Sequence, residues 1–150
     1  MDILLTAIVT WLSLNVALPA NYEHPRIAFV SSDQMYAVRM SGASDSMANA
    51  GDRPGRRAWS QIVALYDDRN RTIYLSHDWK GNTPTEVSVL VHEMVHHLQN
   101  LAGLRYACAE EREELAYAAQ GRWLALYGRN FKKEFKVDDL TMALRTKCVH

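Results

Sequence analysis

The residues best suited to chemistry in this chain are His92, Glu93 and His96, within His92-Glu93-Met94-Val95-His96. Two histidines four residues apart on a helix leave the same face, so both imidazoles can grip one metal ion. Glu93 follows the first of them directly, where its carboxylate reaches a water held by that ion. Zinc in such a site brings the pKa of its water toward neutrality, and a neighbouring carboxylate takes the proton as the oxygen attacks a carbonyl. His97 is turned about 100° further round the helix. It reads as a support for the ligands or a surface residue, not as a ligand.

Two histidines leave a catalytic zinc one protein ligand short, and the third is usually His, Asp or Glu. A metzincin would continue with a glycine and a further histidine where Gln99 and Ala102 stand, so that subclass is excluded. The remaining solution is a glutamate from a following helix, and Glu110, Glu111, Glu113 and Glu114 supply candidates. Glu113 fits best, because Ala116, Tyr117 and Gln120 share its helical face. Ala116 lets two helices approach closely, and Tyr117 or Gln120 can hydrogen-bond a ligand or a bound water. Glu114 and then Glu110 are the alternatives. A donor for a developing oxyanion is also required, with Tyr106, Tyr117 and His97 as candidates.

These residues need a rigid helix. Thr83-Pro84-Thr85-Glu86 opens one with an N-cap, a proline at the first helical position and a glutamate closing a capping box. Val87, Leu90, Val91, Met94, Val95, Leu98 and Leu101 give it an apolar face down to Gly103, a left-handed C-cap. A second helix starts near Ala109, with acidic residues where the helix dipole favours them, and ends at Gly128. Ahead of both, Ile62 to Tyr66 and Thr72 to Leu75, joined by Asp67 to Arg71, read as a β-hairpin. Arg26 to Val30 reads as a short strand, and the Gly- and Ser-rich Ser41 to Arg57 as a loop.

The apolar run Ile3 to Ala20 lacks the Lys or Arg that opens a signal peptide. Leu4, Leu5, Ile8, Trp11 and Leu12 form a helical stripe, so an amphipathic helix stopped by Pro19 is favoured over a cleaved signal. The run is too short and too polar for a membrane span. Over 150 residues, 48% hydrophobic and 23% charged, the chain suits one domain with one core. Lys plus Arg equals Asp plus Glu at 17 each, which gives no footprint for nucleic acid, and Lys132, Lys133 and Lys136 read as a solvated surface cluster. Only Cys108 and Cys148 occur, free to pair or to stay reduced. Compartment and oligomeric state stay open.

The histidine motif followed by Glu113-Glu114-Leu115-Ala116-Tyr117 resembles the gluzincin pattern, in which a glutamate with a small residue three positions later is the third ligand. Together with the hairpin it looks like a minimal gluzincin. Trp11-Leu12-Ser13, Leu18-Pro19-Ala20, His24-Pro25, Leu65-Tyr66-Asp67, the histidine helix through Gln99 and the Cys108 and Cys148 pair are similar to a family of bacterial zincin-like domains of unknown function.

The resemblance implies a zincin-like α+β fold: a small antiparallel sheet packed on the histidine helix and on a second, ligand-bearing helix. It implies one Zn2+ per chain on His92, His96 and Glu113, with Glu93 as base. Peptide-bond hydrolysis on a peptide or an exposed protein segment is the leading expectation. A catalytically silent, metal-holding domain of peptidase ancestry is the alternative. By the same analogy Thr72 to Leu75 would be the edge that pairs with an extended peptide. Cys108 immediately precedes the ligand helix and Cys148 lies near the C-terminus, so the two are expected within disulfide reach, as a staple for the last segment.

Overall fold

Thr83 starts the central helix as its sequence requires. In the computed structural model, which describes residues 1–43 and 64–149, its hydroxyl accepts the Glu86 N–H at 3.1 Å and the Glu86 carboxylate accepts the Thr83 N–H at 3.2 Å. Both orphan donors are thereby met. This helix, α3 (Pro84–Leu101), ends ahead of Gly103, whose φ of +65° is the left-handed conformation expected there. Gly81, just before the cap, is needed for two reasons. Its φ is +67°, and a Cβ there would meet the Trp79 ring at 2.6 Å.

The other elements, in chain order, are α1 (Asp2–Asn15), β1 (Arg26–Val30), α2 (Ser32–Val38), a π-helical turn (Arg39–Ala43), β2 (Ala64–Asp67), β3 (Thr72–Ser76), α4 (Ala109–Ala125), α5 (Phe131–Phe135) and α6 (Asp139–Thr146). The fold is α+β, with six α-helices and one small sheet among the described residues. The expected stripe of α1 is the face it buries: Leu5, Ile8, Val9 and Leu12 are inaccessible, with Leu4 and Trp11 packed at the margin. α1 ends before Pro19 acts, because Ala17 turns left-handed at φ +55°. No described helix is long and apolar enough to cross a membrane.

The sheet departs from the expectation. Its order is β1-β3-β2, with β2 antiparallel and β1 parallel to β3, so it is mixed and not antiparallel. The polar Asp67 to Arg71 turn dictates the local hairpin, whereas β1 reaches β3 across more than forty intervening residues, where pairing direction leaves no local signature. Ile62 and Val63, and most of the expected Ser41 to Arg57 loop, lie outside the described residues; Ser41 to Ala43 belong to the π-helical turn.

The core joins α1, the sheet, α3 and α4 through Leu12, Ile73, Leu75, Leu90, Met94 and Ala116, all fully buried. Truncating one of its larger members to alanine typically costs about 2–5 kcal/mol, so the core holds α3 firmly. Cys108 and Cys148 form a disulfide with α-carbons 5.8 Å apart, fastening the end of α6 to the start of α4.

Candidate metal centre

His92 and His96 emerge one turn apart from the buried side of α3, and α4 packs alongside through Ala116 and Ala119, both fully buried. The small side chains bring Glu113 onto the histidines. His92 Nε2 and His96 Nε2 are 3.2 Å apart, and Glu113 Oε2 lies 2.9 Å from the first and 3.3 Å from the second. Two atoms each bonded at about 2.0–2.1 Å to one tetrahedral ion stand about 3.3 Å apart. The donor atoms are therefore spaced to share one metal ion. Glu114 is drawn away by Lys147 at 2.7 Å, and Glu110 is not part of the cluster.

Which nitrogen of each histidine carries its proton follows from the groups behind it. Ser88 donates its hydroxyl to Thr85 O at 2.7 Å, so its oxygen can only accept, and it accepts from Gln120 Nε2 at 3.3 Å. Gln120 Oε1 consequently faces His92 Nδ1, at 3.1 Å, and that nitrogen must donate. On the other ligand, Gln99 Nε2 donates to Arg112 O at 3.2 Å, and Gln99 Oε1 accepts from Arg112 Nε at 3.3 Å and from His96 Nδ1 at 3.0 Å. With Nδ1 donating to its amide acceptor, each imidazole in its neutral form leaves Nε2 free to bind a metal.

Arg112 joins three elements at this point. Its guanidinium forks onto Asp68 in the β2–β3 turn, at 2.7 and 2.6 Å, and donates to His96 O at 3.1 Å. The hairpin, α3 and α4 are cross-linked beside Glu113. Spacing on one helix pointed to Gln120. Arg112 and Gln99 were missed, although Gln99 lies one turn beyond His96 and on its face, which is the signal that was available.

Burial works to raise the Glu113 carboxyl, but His96 and His92 outweigh it and hold it far below the usual carboxylate range. Glu93 behaves oppositely. Its burial pushes it up to about 7, against the pull of His92 and a hydrogen bond from the Tyr66 backbone. Two carboxylates in one site are thus set apart by surroundings, one a permanent anion and the other able to exchange a proton near neutrality.

The candidate oxyanion donors separate clearly. His97 is fully buried, not at the surface: its Nε2 donates to Glu23 O at 2.6 Å, its Nδ1 accepts from the Tyr66 hydroxyl at 3.0 Å, and Asn100 donates to that hydroxyl at 2.9 Å. Neither ring nitrogen is left for the cluster. Tyr106 is half-buried and hydrogen-bonds Gln99, behind His96. Tyr117 sets its ring edge-on to His92, centroids 4.6 Å apart. Its hydroxyl is raised above the usual phenol range by burial and by Glu113, with Arg145 opposing through a hydrogen bond, and so keeps its proton. Thr72 to Ser76 is the central strand, hydrogen-bonded on both sides, and cannot be a substrate edge. The strand beside α3 is β2, whose Tyr66 N–H points at Glu93.

Fold and site together define an α+β protein carrying a two-histidine, one-glutamate cluster between adjacent helices. The chain belongs to the family described as a domain of unknown function (DUF6647), whose model matches residues 1–150. No curated protein and no solved structure matches it.

Proposed function

We propose that this chain is a zinc-dependent hydrolase of the gluzincin type, zincin-like in fold, that cleaves peptide bonds. The observation that carries the reading is the three-donor cluster, with Nδ1 of each histidine held from behind by a glutamine and a buried carboxylate, Glu93, next to it. His92, His96 and Glu113 would hold the ion. Zinc in such a His2Glu set supplies Lewis acidity toward a water and a carbonyl oxygen.

The chain's own residues supply the rest. Glu93 accepts a proton from the attacking water and returns it to the departing amine, a role suited to a carboxyl near neutrality. Tyr117, protonated and leaning on His92, donates to the carbonyl oxygen as charge develops there. Among the described strands β2 has an outer edge paired with no other strand, and it takes the place of Thr72 to Leu75 as the edge for an extended peptide.

The test is metal content followed by turnover. Protein purified without chelator should carry about one zinc per chain and hydrolyse members of a broad peptide library, while Glu93→Gln keeps the metal and loses turnover. Metal without turnover in the wild type selects the silent, metal-holding alternative. Failure to take up zinc on dialysis removes both readings.

A further inference from the structure

α6 lies along α4 by three contacts in register: the Cys148 to Cys108 disulfide, Lys147 to Glu114 at 2.7 Å, and Arg145 to the Tyr117 hydroxyl. The last of these puts a guanidinium one side chain away from His92, because Tyr117 rests on that ring. Among the described residues no carboxylate pairs with Arg145, whereas Arg71, Arg112, Arg129, Lys132 and Lys147 all have one. From the π-helical turn, half-buried Arg39 approaches Tyr117, Glu113 and Arg145 closely enough to feel the charge of each. A neutral phenol does not balance the charge of Arg145.

A guanidinium presents a planar fork of N–H donors that matches a carboxylate, and a partly desolvated one gains most from such a partner. We propose that Arg145 binds a carboxylate of the substrate next to the bond to be cleaved. The site then favours peptides with a free C-terminus, or with an acidic side chain, at that position. Both sources share one chemistry. The proposal rests on the hydrolase reading only for what the bound peptide undergoes.

Binding separates the two. Zinc-loaded Glu93→Gln protein, immobilised, is offered randomised pentapeptides as free acids and as C-terminal amides, and retained peptides are sequenced by mass spectrometry. Retention should favour free acids over amides, or Asp and Glu over Asn and Gln at one position, by about tenfold, the scale of one good charge-assisted contact. The first pattern identifies a terminal carboxylate and the second a side chain. Adding Arg145→Gln should cut the preference below about threefold, with Arg145→Lys between, since it keeps charge but not the fork. Thermal melts check folding, and Arg145→Lys carries the comparison if the glutamine variant does not fold. Equal retention of charged and neutral peptides, an undiminished preference without Arg145, or no retention by folded protein would overturn the proposal. Turnover by wild type with no carboxylate preference leaves the hydrolase standing without it. An Arg145-dependent preference without turnover does the reverse.

Discussion

Gln120 touches no candidate metal position, yet it decides which nitrogen of His92 can bind. Replacing it with Leu keeps the volume and removes the acceptor, so His92 is free to carry its proton on Nε2. Zinc affinity should fall about 10–100-fold with the fold retained, measured by competition with a chromophoric chelator. An unchanged affinity would show that the hydrogen-bond chain from Ser88 through Gln120 does not set the His92 tautomer. Glu113→Ala should weaken zinc binding far more, while Glu110→Ala and Glu114→Ala stay within a few-fold, because only Glu113 lies at 2.9 Å from His92. If Glu114→Ala strips the ion instead, the ligand set drawn from this geometry is wrong. Spacing exposed Glu113 and Gln120, since both lie on one face of one helix. Arg145 could not be found this way. It comes from another helix, and only the packing of α6 on α4 brings it to Tyr117.

The ends of α3 were legible because capping is local chemistry: Thr83, Pro84, Glu86 and Gly103 each act within a few residues. The β2–β3 hairpin was legible for the same reason. What escaped was either too short or too distant. α2, α5 and α6 have five to eight residues each, too few for a helical period to rise above the background. The parallel pairing of β1 is set by tertiary space: β2 faces α3 through Tyr66 and Glu93, so β1 docks on the far side of β3. At this scale the Cys108–Cys148 staple carries a prediction. It closes a loop of 40 residues, and a constraint of that size contributes about 4 kcal/mol through the unfolded chain. Cys148→Ser should lose about that much in urea unfolding of oxidised protein. A loss below about 1 kcal/mol would show that Lys147, Thr146 and the α6 surface hold the helix without the disulfide.

For the molecule as a whole, the site is a local disadvantage that the fold sustains. Glu93 sits among buried groups that resist its charge, held up to about 7 chiefly by burial. In the unfolded chain its carboxyl titrates near 4.5. Between those values the folded state binds more protons, so this group makes stability fall as pH rises from 4.5 to 7, and the whole penalty is present above 7. That displacement corresponds to something on the order of 3 kcal/mol. Glu93→Gln does not titrate and still offers an acceptor to the Tyr66 N–H. Metal-free Glu93→Gln protein should therefore be more stable than metal-free wild type by a few kcal/mol at pH 8, with the difference shrinking to little at pH 4.5. Chelator-treated wild type and variant, unfolded in urea at both pH values, provide the measurement, and the comparison cancels the titration of His97, which both proteins share. A gain of equal size at both pH values would point to packing. No gain at pH 8 would mean that Glu93 is at ease as an anion in the folded chain, and its assignment as a proton-exchanging base would lose its electrostatic support.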